Sequence, residues 1–281
     1  MTGSASAARR PDPPSSAELE QLAVELATGA ADVVRAGRAG ALEVSAKSTA
    51  TDLVTAADRA TEQWLRDELA RRRPDDAVLG EESGAGTGSS AVRWVIDPID
   101  GTVNFVLGLP QYAVSIAAEV DGRTVAGAVL NPASGELFHA RLGGGAHLGD
   151  TRLEGPRDIE LSRAVVGTGF GYAAQLRARQ AAVVARLLPA VADIRRLGSA
   201  SLDLCAVAAG RLDAYFESGL NAWDYAAGLL IATEAGCAAS GLRGREPGTT
   251  MTAVARPELL GDFTALLEDL EADRVHRDAS D

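Results

Sequence analysis

The chain has 281 residues, 46% of them hydrophobic but only 4% aromatic, so Val, Leu, Ile and Ala must fill a core the size of one large domain or two tightly joined halves. Its 27 basic and 39 acidic residues leave a formal net charge of −12, which favours cations and weighs against nucleic-acid binding, where Lys and Arg must neutralise phosphates. The two cysteines, Cys205 and Cys237, cannot build a disulfide framework, and their spacing argues against zinc and redox work.

Residues 1–16 are Ala, Ser, Pro and Arg without an apolar run, and read as a disordered tail rather than a signal peptide. Leu19, Leu22, Ala23, Leu26 and Ala30 recur at helical spacing and predict a first helix over about 18–37. A polar run from Lys47 to Asp58 precedes a second helix reaching Pro74, and Thr55 with Asp58 has the form of a capping box. Strands follow at 77–79 and 92–96. Strands at 112–120 and 124–130 flank the hairpin turn Asp121-Gly122, and another is expected at 135–140. Gly143-Gly144-Gly145 is a turn; it lacks the Lys and Ser/Thr of a phosphate-binding P-loop.

Beyond about 157 helix and strand alternate: strand 165–168, helix 174–188, helix 199–209, strand 213–217, helix 223–235, strand 250–255 and a closing helix 257–270 begun by Pro257. Cys205 and Cys237 lie in apolar surroundings and read as small core residues. Residues 271–281 read as a second tail. The pattern predicts two layered α/β halves, 17–156 and 157–270, joined near 156. No stretch approaches the roughly 18 apolar residues of a membrane span, so a soluble, cytoplasmic protein is expected.

The chemistry concentrates in acids at element ends. Trp94-Val95-Ile96-Asp97-Pro98-Ile99-Asp100-Gly101-Thr102 is an apolar run that ends in two carboxylates three residues apart. Pro98 bars helix geometry at Asp97, so the pair is expected on a turn. Two hard oxygen ligands there suit a divalent cation, or they simply terminate a strand. Glu81, in Gly80-Glu81-Glu82-Ser83, projects from the strand before it. Asp224, in Trp223-Asp224-Tyr225-Ala226-Ala227-Gly228, opens an apolar helix and reads equally as a cap. In α/β folds such ends surround the ligand crevice.

Taken in order, the Glu81, Asp97–Asp100 and Trp223-Asp224 motifs, with the Lys47 to Asp58 block, resemble the inositol monophosphatase family of magnesium-dependent, lithium-sensitive phosphatases over about residues 18–270. The resemblance implies a five-layer α-β-α-β-α sandwich of the sugar-phosphatase type. It implies hydrolysis of a phosphate monoester, myo-inositol 1-phosphate foremost, in a homodimer. It assigns two or three Mg²⁺ ions to Glu81, Asp97, Asp100, Asp224 and the carbonyl of Ile99, and places Thr102, Asp58 and Glu81 in catalysis. Substrate contacts are implied for Asp100, Gly101, Thr102, Asp224, the Gly198-Ser199-Ala200 backbone and Glu217, and Arg195 is expected at the substrate or at a partner subunit. Gly171 stands where the family usually has proline. Histidinol phosphate, fructose 1,6-bisphosphate and 3′-phosphoadenosine nucleotides are alternative substrates in the family, and some relatives serve transcription as regulatory proteins.

Overall fold

The structure, a computed structural model, describes residues 14–39, 44–47 and 53–274. Residues 1–13 of the tail expected at 1–16, residues 275–281 of the tail expected at 271–281, and the part of the polar block between Lys47 and Leu53 lie outside the described residues.

In chain order the first half runs α1 (Ser16–Ala39), β1 (Val44–Ala46), β2 (Leu53–Thr55), α2 (Ala56–Arg72), β3 (Ala77–Gly80), β4 (Gly84–Ala85), β5 (Val92–Asp100), α3 (Thr102–Leu107), β6 (Ala113–Val120), β7 (Arg123–Leu130), β8 (Leu137–Arg141), β9 (Gly145–Leu148) and β10 (Thr151–Arg152). The second half runs β11 (Val165–Thr168), α4 (Ala174–Leu187), β12 (Asp193–Arg195), α5 (Ala200–Ala208), β13 (Ala214–Glu217), α6 (Ala222–Glu234), β14 (Ala238–Ser240), β15 (Thr252–Ala255) and α7 (Pro257–Asp269). The division expected near 156 falls in the segment between β10 and β11.

Five layers result. Buried Leu19, Ala23, Leu26, Ala30 and Val34, spaced three or four apart on α1, pack with Leu65 and Leu69 of α2 against Trp94, Ile96, Val114 and Ile116 of an eight-stranded sheet ordered β10-β9-β8-β7-β6-β5-β3-β4. The apolar helices α5 and α6 form the middle layer, with Leu204, Val207, Ala227 and Ile231 between that sheet and a five-stranded sheet ordered β12-β11-β13-β15-β14. Val183 and Leu187 of α4 and Leu259, Phe263 and Leu267 of α7 cover the far face. The expected sandwich is therefore the observed one. Fully buried Trp94 anchors the first core, its indole N–H donating to Asp76 at 2.9 Å; replacing it by Ala would cost about 3–5 kcal/mol.

Three local expectations are corrected. Asp97 and Asp100 do not lie beyond the strand: both pair with β6, opposite Ser115 and Ala113. Two residues on β5 face one on β6 between those pairs, a β-bulge at Pro98, which has no N–H to donate. The first helix starts inside the expected tail, because Glu18 accepts from the backbone N–H and hydroxyl of Ser15 at 2.8 Å each, a capping arrangement overlooked in the sequence. At the other end, residues 271–274 stay packed: Ala272 and Asp273 are buried, and Asp273 pairs with Arg243 at 3.1 Å. The short strands β1, β2, β4, β9, β10, β12 and β14 carry too few residues to show a period. The Asp121-Gly122 hairpin is as expected, with φ of 50° and 81°, the left-handed pair a tight turn demands.

Candidate active site

Strand register builds the site. β3 and β5 run parallel with Gly80 opposite Ile96, so the next residues, Glu81 and Asp97, fall side by side. Ser115, the β6 partner of Asp97, donates its hydroxyl to the Trp223 carbonyl at 3.3 Å and fixes the start of α6 against the strand. Asp224 follows at once. Its carboxylate accepts from the Asn221 backbone N–H at 2.6 Å, so it caps α6 and faces the strand acids together. Oxygens of Asp97, Asp100 and Asp224 all lie within 4.8 Å of one another. They adjoin a cavity of about 460 Å³ lined by Lys47, Glu81, Asp100, Arg196, Glu217 and Asp224 among others.

Each acid is held by donors. The hydroxyls of Ser199 and Ser201 and the Ser201 N–H all donate to one oxygen of Asp100, at 2.7, 2.5 and 2.7 Å. The Ile99 N–H donates to Asp97 at 3.0 Å. Lys47 reaches Glu81 at 2.8 Å and Glu82 at 2.5 Å. Buried Glu62 accepts from the Glu82 and Ser83 N–H groups at 2.7 and 3.0 Å and fixes the turn that carries Glu81. Thr102 lies 3.0 Å from both Asp58 and the Ile99 carbonyl, either of which its hydroxyl can donate to. The other Asp58 oxygen accepts from the Thr55 N–H at 2.8 Å and the Thr55 hydroxyl at 2.5 Å. Asp58 thus serves the capping box and Thr102 at once. Gly101 precedes α3 at φ 92°, and a Cβ there would lie 2.9 Å from the Gln111 carbonyl and 3.0 Å from that of Gly198.

The electrostatics are those of acids crowded out of water. Burial drives Asp97 well above the usual carboxylate range, and Glu81, Asp100 and Asp224 push it further. Burial raises Asp224 in the same way, with Asp100 adding to it. Burial also raises Asp100, but the Ser199 and Ser201 donors work against it. Glu81 is raised by burial against the pull of Lys47. The donor set is all oxygen, buried and mutually repelling, so it fits a hard divalent cation and not a soft one.

Across the cavity, Glu217 receives the Tyr215 hydroxyl at 2.5 Å, and burial pushes its carboxyl up to about 7. A Cβ on Gly169 would sit 2.0 Å from that carboxylate, so only glycine leaves it room. Gly198, Ser199 and Ala200 line the same cavity. Arg195 does not: its side chain pairs with Asp193 at 2.5 Å and borders a separate cavity beside Gln111 and Arg211. Side chains alternate along an extended chain, so the next residue, Arg196, takes the position expected for Arg195. Sequence reasoning also passed over Asp203, a cavity residue one oxygen of which is buried without a hydrogen-bond partner among the described residues. Glu62 was equally missed, although it lies one turn beyond Asp58 on the same face of α2.

The inositol monophosphatase family pattern matches residues 15–272. The inositol-1-monophosphatase SuhB of Mycobacterium tuberculosis is 48% identical over 272 residues, covering 90% of this chain and 94% of that protein. The solved Mycobacterium tuberculosis SuhB superposes with a TM-score of 0.79 at 45% identity over 92% of this chain and 98% of that one. The Nus factor SuhB of Pasteurella multocida is 46% identical over 219 residues, covering 76% of this chain and 82% of that protein. Fold, acid cluster and relatives together define a phosphate monoester hydrolase of a metal-dependent kind. The chain belongs to the inositol monophosphatase family. Among its described residues no helix is long and apolar enough to cross a membrane.

Proposed function

We propose that this protein hydrolyses myo-inositol 1-phosphate to myo-inositol and phosphate with two or three Mg²⁺ ions. The observation that carries the reading is the convergence of Asp97, Asp100 and Asp224 within 4.8 Å, with Glu81 beside them. These four carboxylates and the Ile99 carbonyl would hold the ions. When bound, the ions polarise the phosphoryl group, lower the pKa of a water and offset charge on the leaving alkoxide. The chain's own residues do the rest. Thr102 donates its hydroxyl to Asp58, so it can take a proton from the attacking water as it passes its own to that carboxylate. Thr55 holds the Asp58 carboxylate in place to receive that hydroxyl. The backbone N–H groups of Gly101 and Thr102 contact the phosphate, with Asp100 and Asp224 beside it. The Gly198-Ser199-Ala200 backbone and Glu217 contact the polyol, and Glu217 accepts its hydroxyls. The cationic side chains at this cavity include Lys47 and Arg196, and Arg196 adds a positive group near the substrate.

The test is phosphate release from inositol 1-phosphate, histidinol phosphate, fructose 1,6-bisphosphate and a 3′-phosphoadenosine nucleotide, with Mg²⁺, with EDTA and with added Li⁺. Highest kcat/KM on inositol 1-phosphate, abolished by EDTA, is expected, with Li⁺ inhibiting. A higher value on histidinol phosphate would reassign the substrate. A second reading, a regulatory protein that acts without catalysis, is favoured by the name of the Pasteurella relative. The net charge of −12 opposes direct RNA contact, and the complete acid set favours the enzyme. Absence of phosphate release on every substrate with Mg²⁺ would support the regulatory reading. We also expect a cytoplasmic homodimer; Leu107 and Leu109 expose apolar surface suited to a second copy, which light scattering would detect.

A further inference from the structure

A second group of metal-ligating side chains lies outside the catalytic cavity. Glu20 on α1, His139 on β8 and His147 on β9 each offer a ligand atom, and these lie within 4.8 Å of one another. The two histidines are cross-strand partners with rings stacked at 5.4 Å. A cavity of about 430 Å³ opens over them, and Asp150 borders it.

Three details give the cluster the character of a ligand set. First, the His139 Nε2 lies 3.1 Å from the Gly149 carbonyl, which can only accept, so Nε2 carries a proton. That leaves Nδ1 as the lone-pair atom, and Nδ1 points at Glu20 across 2.8 Å. A lone pair facing a carboxylate needs a cation between them, either a proton or a metal ion. Metal-bound histidines are ordinarily fixed in this way, with the second ring nitrogen donating to a carbonyl. Second, Arg141 binds the other Glu20 oxygen at 2.6 Å and orients the carboxylate. Third, among the described residues the His147 Nδ1 is buried with no hydrogen-bond partner, an unmet acceptor or donor that a metal ion would satisfy.

We propose that Glu20, His139 and His147 form a second metal site, selective for a divalent transition ion such as Zn²⁺ over the Mg²⁺ of the catalytic cavity. Imidazole nitrogen favours Zn²⁺, whereas an all-oxygen set favours Mg²⁺. A tetrahedral zinc holds its ligand atoms about 3.3 Å apart, which side-chain rotation can reach from the present spread. The fourth position is taken by water or Asp150. None of the three ligands lines the catalytic cavity, so this site is independent of the phosphatase reading.

The chain has three histidines, so ¹H–¹⁵N spectra of their rings resolve the question on the wild-type protein. With one equivalent of Zn²⁺, the His139 Nδ1 and one His147 nitrogen should move to metal-bound shifts while the His139 Nε2 keeps its proton. His276, outside the described residues, is the internal reference. His147→Gln should weaken Zn²⁺ binding at least tenfold in a competition titration and leave phosphatase turnover unchanged. Histidine signals that stay still at stoichiometric Zn²⁺, movement of His276 alone, or equal affinity in wild type and H147Q would overturn the site and leave a plain Glu20–His139–Arg141 ion cluster.

Discussion

The two sides of the catalytic cavity bury carboxylates in different ways. Asp97, Asp100 and Asp224 converge on one point, and Ser199, Ser201 and backbone N–H groups hold them there. Glu217 and Asp203 stand apart from that point, on β13 and α5 respectively. Glu217 accepts a short bond from Tyr215, and among the described residues one Asp203 oxygen has no partner. Converging acids leave room only for a concentrated positive charge. Dispersed acids leave acceptors for separate hydroxyl donors. The first arrangement suits cations and phosphate, the second a polyol, and the boundary between them is where the phosphate ester bond would lie.

The largest way to break this comparison is to remove the cation. EDTA should abolish turnover and lower the melting temperature, since ions at a hundred times their Kd add about 2.7 kcal/mol per site, on the order of 5–10 °C for a chain of this size. Turnover that survives exhaustive chelation would defeat the metal reading. Next, Asp97→Asn or Asp100→Asn should cut kcat/KM on the order of 10³-fold. The Asp97 carboxyl is raised by burial, so its charged form is the costly one, and the amide should melt at or above the wild-type temperature without metal. Wild-type rates for either variant in saturating Mg²⁺ would show that the convergence is not functional. Thr102→Ala should lower kcat about 10²-fold with little change in Mg²⁺ affinity; a shift in metal titration with unchanged kcat would move Thr102 from the water to the metal.

Much of the converging side was legible in the sequence. Glu81 follows β3, Asp100 ends β5, Asp224 lies in the first turn of α6 and Asp97 is three residues before the end of β5, so local pattern marked the neighbourhood of each. The helical period is strong in α1 and α7, and apolar runs on either side of Asp121-Gly122 mark β6 and β7, whereas the five layers came from the family resemblance. The dispersed side was less legible. Arg196 rather than Arg195 faces the cavity because of strand alternation at a three-residue strand too short to show it. Asp203 looks like one polar residue in the apolar helix α5, and only tertiary packing brings it to Glu217 of β13 and Asp100 of β5. Glu62 and the serine donors to Asp100 act across 20 and about 100 residues of sequence, distances at which a single chain carries no local signal. The bulge at Pro98 was half visible: the proline announced a break, but only the β6 register shows that pairing resumes at Asp100.

The smallest expected effect tests the dispersed side alone. Burial pushes Glu217 up to about 7, so it changes charge in the neutral range. Its ionised form accepts hydroxyl protons; its protonated form offers a competing donor. The ionised fraction rises about tenfold from pH 6 to pH 8 for a group titrating near 7, and KM for inositol 1-phosphate should fall with rising pH by up to that factor. Stability moves the other way. The folded chain holds a proton that the unfolded chain releases, so the contribution present below about pH 4 is lost as pH rises through 7. Glu217→Gln should flatten both dependences, leave kcat within about tenfold and narrow the discrimination between inositol 1-phosphate and phosphate esters with fewer hydroxyls. An equal loss on every ester, with the pH dependence of KM intact, would make Glu217 a structural partner of Tyr215 and dissolve the distinction between the two sides.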